Sequence, residues 1–445
     1  MTYLALWLSQ AQFFMSLSFS LLFLLLEIGL AWALVIFKLQ WLRGDSRGIQ
    51  AYRFWVRVFA LAFVLSFASA VPVMVQFGSL WPGLMERIGN VAGPLLAAAV
   101  FTLFLFKSCF VGAMLFGQRR LSERAHTVLV LMVALGVTLA ALWPVALFSW
   151  SRTPSGAFFS NGQYVVIAWS DIVFNPSFPW YAALLLVTAL ATSSLFMLGV
   201  AALQSLSRRV IGADRMVFNG AARAAVLFLA VLMGLVVQAG RELAHHEPAR
   251  AAAAVGYWQS GTEPSVSLFS VPDPNTGDDR WAWRWNRLGG DFLARDAENR
   301  YRGLDQFSGM APPWALTFWS LRVAGAALFL TLLVSALAWW RLHAHDGEPA
   351  ALSACLRKAL IASGFGGWLI AVAGFAHVFI GASPYAVAGT VTLSEVQADA
   401  SIAALSIGGS GLLLIYAICM WGFVRLLWHV VRYGVVPVAR WRGRA

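Results

Sequence analysis

The stretch Gln12–Phe37, QFFMSLSFSLLFLLLEIGLAWALVIF, decides the fold. It carries one charge, Glu27, in a run longer than the roughly 20 apolar residues that cross about 30 Å of hydrocarbon. Comparable runs recur along the chain, nine in all, near 12–37, 55–78, 93–117, 127–150, 179–204, 222–241, 313–340, 359–382 and 403–430. With 60% hydrophobic residues, 12% charged and a mean hydropathy of +0.72, the 445 residues exceed what one soluble core can hide. The expected fold is therefore all-α, a polytopic membrane protein of nine transmembrane helices. Met1 to Gln12 has neither a basic start nor a small-residue cleavage site, so the first run is read as a retained span.

Basic residues in the short loops set the orientation. Lys38, Arg43, Arg47, Arg53 and Arg57 follow span 1, Arg119, Arg120 and Arg124 follow span 3, and Arg208, Arg209, Arg215 and Arg223 follow span 5. Arg341, Arg357 and Lys358 follow span 7, and Arg432, Arg440, Arg442 and Arg444 end the chain. The alternate loops are poor in Lys and Arg, which places the N-terminus outside and the C-terminus in the cytoplasm. The net charge of +12 is thus a topology signal, dispersed over separate loops, and no nucleic-acid partner is expected. Cys109, Cys355 and Cys419 lie in or beside spans without CxxC spacing, so neither a disulfide nor a metal site is indicated.

One connection is long. Residues 242–310, expected outside the membrane between spans 6 and 7, are polar, yet Trp258, Trp281, Trp283, Trp285, Tyr257 and Tyr301 argue against plain disorder. Two readings stand, a cap with tryptophans at the membrane interface, or a docking surface for a partner or a lipid-soluble substrate. No internal repeat divides the chain, and residues 1–445 read as a single membrane domain.

Ordered motifs then carry a resemblance. Gln12-Phe13 opens span 1, Gln76-Phe77-Gly78 with Trp81 closes span 2, and Ser108, Phe110-Val111-Gly112 and Phe116-Gly117 lie in span 3. Ala141-Leu142-Trp143, Trp150 and Asn175-Pro176 come next, then Leu268-Phe269 with Pro272-Asp273, and Phe318-Trp319-Ser320-Leu321-Arg322 in span 7. In order and spacing, residues 9–435 resemble subunit I of cytochrome bd quinol oxidase. That resemblance implies a nine-span subunit of the aerobic respiratory chain in the bacterial cytoplasmic (inner) membrane, with two b-type haems and one haem d.

Read onto this sequence, the positions that hold iron in the family have all changed. The histidine of span 1, in the family's MYHFLF, corresponds to Ser20; that of span 5 corresponds to Leu184, and the methionine of span 7 to Ala324. Two glutamates of span 3 correspond to Ala99 and Lys107, and that of span 8 to Phe379. Hydroxyl, alkyl and phenyl groups are poor iron ligands or none. In the quinol loop the family's lysine aligns with Arg250 and its glutamate with Val255. No cofactor is expected on this chain at the family's sites, haem b and haem d being expected in a partner.

Charges inside spans need partners. Glu27 and Lys107 sit at similar depths and are expected to pair, the alternative being that one faces a water cavity or another subunit. His377, inside span 8, is a weak candidate haem ligand against a hydrogen-bonded core histidine. Arg322 in span 7 has three possible partners, a carbonyl at a helix break, a lipid headgroup or an acidic partner residue. Three functions compete: a haem-free accessory subunit beside a haem-bearing subunit I-like protein, with quinol reached through the complex; a divergent quinol oxidase binding haem through other ligands; and a proton-linked transporter or sensor reusing the fold.

Overall fold

Backbone polar groups that cross hydrocarbon must be satisfied within their own segment, and helices do this. A computed structural model of the chain describes residues 3–207, 210–272 and 279–433, with the backbone alone described at Lys107, Ser108, Arg119, Pro272, Asp279, Arg280 and Tyr433. Arg208, Arg209, Asp273, Arg440, Arg442 and Arg444 lie outside the described residues.

Among the described residues nine helices are long and apolar enough to cross a membrane. Span 1 is Tyr3–Leu42, span 2 Ser46–Ser79, span 3 Pro82–Phe116, span 4 Glu123–Arg152 and span 5 Phe178–Ser207. Span 6 is Gly212–His246, span 7 Trp314–Ala344, span 8 Ala354–Ile380 and span 9 Ile402–Tyr433. Each expected run lies within or against one of these helices, which extend beyond the apolar stretches. Span 6 runs to His246, so the long connection begins about one turn later than 242, and His245 and His246 are helical. Span 8 is broken between Ser363 and Gly366. There Gly199 of span 5 comes so close that a Cβ on it would lie 2.9 Å from the Cα of Gly364. Span 3 widens into a π-turn over Lys107–Val111.

Span 1 is the central element, packing on spans 2, 4, 5, 8 and 9. Its Gly29 lets span 5 approach, since a Cβ there would meet the Ala189 carbonyl oxygen at 2.3 Å. The main core gathers Phe23, Leu26 and Leu30 of span 1 with Val58, Phe59, Leu195 and Phe218. A second core at one end of the bundle is built around Trp81, Trp150, Tyr164 and Val391.

Among the described residues three antiparallel hairpins accompany the helices: β1 (Ala157–Ser160) with β2 (Gln163–Val166), β3 (Ser265–Pro272) with β4 (Asp279–Asn286), and β5 (Tyr385–Val387) with β6 (Val391–Thr392). The connection from 247 to 313 is ordered where described. It holds the helix Pro248–Val255, the β3–β4 hairpin and a small core of Ala252, Tyr257, Leu293 and Tyr301.

Candidate functional site

The resemblance assigns iron ligation to positions on spans 1, 5, 7 and 8, and service to the haem pair and proton delivery to two on span 3; the structure describes the side chains at all of them but Lys107. Ser20 is half-buried beside Phe19, whose ring stacks on Tyr416 of span 9 at 4.3 Å. Leu184 is half-buried against the main core, Ala99 is half-buried on span 3, and Ala324 is buried on span 7. Phe379 packs against Phe13, Phe14 and Phe375, with ring centroids 6.0, 5.9 and 5.6 Å away. The aromatic packing continues through Phe148 of span 4 to Tyr181 of span 5. These side chains do not fit an axially ligated haem, because none is an effective iron donor and the Phe379 position is filled by ring packing.

The motif residues that carry the resemblance do structural work. Trp143 Nε1 donates to Thr102 Oγ1 at 3.1 Å, tying span 4 to span 3. Asn175 donates through Nδ2 to Ser149 Oγ at 2.9 Å and Ile172 O at 3.0 Å, and its Oδ1 accepts from Thr153 Oγ1, which fixes the end of span 4. Phe77 and Trp81 pack edge-on to Phe13, Trp81 and the neighbouring Gln76 being buried, while Gly78 lies in the last turn of span 2 with open space beside it and Gln12 lies half-buried near Gly408.

Where the long loop meets the bundle, charged groups gather. Arg322 donates through Nη1 to the carbonyls of Ala254 and Phe318, and through Nη2 to Ser267 O at 2.5 Å and Val255 O at 3.4 Å. Its guanidinium also lies over the Phe318 ring, 3.5 Å from the centroid. Of the three partners open to Arg322, the structure gives the carbonyls at a helix end. Ala254 and Val255 close the helix Pro248–Val255, whose last carbonyls have no acceptor role inside it.

Arg250, the quinol-loop candidate, lies in the same short helix. It pairs with Glu247 at 3.1 Å, donates to Tyr181 Oη at 3.1 Å and reaches Val378 O at 3.3 Å. Burial pulls its pKa down, but Glu247 and Tyr181 outweigh that and hold it above the ordinary arginine value. The stem passes over Gly381, where a Cβ would stand 2.8 Å from Arg250 Cδ. Nearby, buried His377 bonds through Nδ1 to the Thr317 carbonyl at 3.0 Å. A carbonyl accepts, so Nδ1 carries a proton, and in the neutral ring Nε2 then keeps its lone pair.

Glu27 is fully buried in the middle of span 1. The Lys107 side chain, and with it the expected pairing, lies outside the described residues. A buried ion pair joins spans 1 and 4 that the sequence did not signal. Lys38, taken as a loop residue, belongs to the last turns of span 1, is fully buried, and meets Glu123 at the start of span 4 at 2.5 Å. Nothing local signals it, since the two residues are brought together only by the packing of span 1 on span 4.

The fold has a known counterpart. The chain superposes on a solved bd oxidase from Geobacillus thermodenitrificans with a TM-score of 0.86 at 21% identity, covering 97% of this chain and 99% of that one. These features define an integral membrane protein with the bd oxidase fold. The chain belongs to the cytochrome bd terminal oxidase subunit I family, whose model matches residues 8–435. Among relatives, cytochrome bd ubiquinol oxidase subunit 1 of Bacillus subtilis (strain 168) is 23% identical over 419 residues, 87% of this chain and 85% of that protein. Cytochrome bd-II ubiquinol oxidase subunit 1 of Escherichia coli (strain K12) is 28% identical over 267 residues, 59% of this chain and 52% of its own length. Its spans and family make this chain a multi-pass protein of the bacterial inner membrane.

Proposed function

We propose that this chain is a haem-free, accessory subunit of a membrane-bound bd-type quinol oxidase, built into a complex with a haem-bearing subunit I-like protein. The observation that carries this reading is the state of the ligand positions. Ser20, Leu184, Ala324 and Phe379 offer no effective iron donor, and the Phe379 ring is packed among Phe13, Phe14 and Phe375. The bd oxidase fold is retained, held in this chain by contacts such as Trp143 to Thr102 and Asn175 to Ser149. Loss of donors with retention of scaffold is what a supporting subunit requires. The partner then carries quinol oxidation and dioxygen reduction, while this chain supplies an interface and stability.

The test is to purify the complex, separate its subunits, and measure haem per chain with reduced-minus-oxidised spectra. Haem is expected on the partner alone. Stoichiometric haem on this chain would overturn the reading and favour the second one, a divergent catalytic subunit. That alternative rests on His377, whose Nδ1 bond to Thr317 O leaves Nε2 in the protonation state a ligand needs. Replacing His377 by Gln would then abolish the haem signal.

A further inference from the structure

The hairpin of β3 and β4 has one face that the functional reading leaves unused. Strand alternation puts Trp281, Trp283 and Trp285 on the same side of β4, and the register sets Val271, Phe269 and Val266 opposite them. The three indoles are 69%, 63% and 48% exposed. The other face of β3 is turned inward: Ser267 and Ser270 are fully buried, Ser267 Oγ donating to Gly256 O and Ser270 Oγ accepting from Trp258 Nε1. The hairpin is therefore fixed in orientation, and its tryptophan face points away from the loop core.

Its height is fixed as well. Arg322 of span 7 grips the Ser267 carbonyl, and Phe269 packs between Trp281 at 5.3 Å and Trp319 of span 7 at 4.8 Å. Span 7 has 31 residues, about 46 Å of helix against about 30 Å of hydrocarbon, leaving roughly 8 Å beyond the core at each end if it is centred. Trp319 stands five residues into the helix that begins at Trp314, about 7.5 Å along it. With span 7 centred, that is the level of the hydrocarbon boundary. Leu316 and Val323, exposed at 47% and 44%, flank Trp319 on the same helical stripe. The tryptophan face of the hairpin continues this lipid-facing stripe sideways.

We propose that the β3–β4 hairpin is a membrane anchor, its Trp281, Trp283 and Trp285 lying in the headgroup and glycerol region of the leaflet on the loop side. Indole suits that layer, with an apolar ring for the acyl boundary and an N–H for the ester and phosphate oxygens. The long loop is thereby moored to the bilayer beside span 7, whether or not this chain holds haem.

The experiment uses the unaltered complex in nanodiscs of phosphatidylethanolamine and phosphatidylglycerol, doped with a phosphatidylcholine that carries a diazirine close to its glycerol. After irradiation, peptides are mapped by mass spectrometry. Lipid adducts on the peptide holding Trp281 to Trp285 are expected in amounts comparable with those on the Leu316–Val323 segment. Adducts on span 7 with none on the hairpin would sink the proposal, whether water or another protein covers that face. As a second measurement, a nitroxide on Trp283→Cys, in a chain whose native cysteines are replaced, should be relaxed more by oxygen than by a water-soluble nickel chelate. The reverse order would place that face in water and reject the anchor.

Discussion

Arg322 shows how a charge survives inside a span. Its guanidinium is answered by backbone oxygens at the end of the short helix Pro248–Val255 and on β3, so one side chain ties the loop to span 7. Arg322→Met should cost about 2–3 kcal/mol, the scale of hydrogen bonds to a charged group. Arg322→Lys keeps the charge but loses the fork, and should recover only part of that stability. Thermal unfolding in detergent, with hydrogen exchange over residues 254–270, reads both effects; unchanged exchange there would contradict the role. Lys38 and Glu123 make an asymmetric pair, the first with no exposure and the second with a side chain 41% exposed. Glu123→Ala leaves a buried ammonium uncompensated and should cost about 3 kcal/mol. Lys38→Met leaves a carboxylate that water still reaches, and should cost about 1 kcal/mol or less. Equal losses in chemical denaturation would show that burial does not govern the pair.

At the scale of elements, the loop is held by a few backbone conformations. Gly256 ends the helix Pro248–Val255 at φ +76°, and a Cβ there would meet Phe318 Cε2 at 2.7 Å and Ser267 Cβ at 2.9 Å. Gly256→Ala should therefore destabilise the loop by about 1–3 kcal/mol, leaving the spans intact. Faster proteolysis of the loop with unchanged far-ultraviolet circular dichroism is the expected signature. The turn at Asp296 adds a pH dependence. Slight burial pushes its carboxyl up, but the Arg300 N–H and guanidinium, with Gln306, hold it below the ordinary value of 3.8. A carboxyl depressed in the folded loop gives stability present above its unfolded pKa and lost as pH falls through the lower folded value. Exchange protection at Arg300, compared with that of a span peptide, should hold at pH 6 and decline only below about pH 4.

For the whole molecule, the basic loops predict which side the long connection occupies. A cysteine at Glu298, in a chain without its native cysteines, should react with a membrane-impermeant maleimide in intact cells. Reaction only after permeabilisation would invert the orientation. The nine spans were legible because hydrocarbon imposes a local demand, about 20 apolar residues in a row, that a sequence displays without knowing its neighbours. The family was legible because motifs such as Gln76-Phe77-Gly78 and Asn175-Pro176 stand in a recognisable order and spacing along the chain, although the contacts they make, Phe77 to Phe13 and Asn175 to Ser149, join different elements. Donor chemistry at Ser20, Leu184, Ala324 and Phe379 is likewise a property of each residue and is readable at once. What fills the space beside Phe379, where the Arg322 guanidinium ends, and that Lys38 is buried against Glu123 were all decided by packing between segments up to hundreds of residues apart. The same holds for the tryptophans of β4: the sequence supplied an alternating WAWRW, and only the grip of Arg322 and Trp319 on β3 fixed the height and side on which that face stands. Local composition determined that the chain spans a membrane and what its side chains can ligate; long-range contacts, set by the joint minimum of packing and charge satisfaction, decided where each polar group is spent.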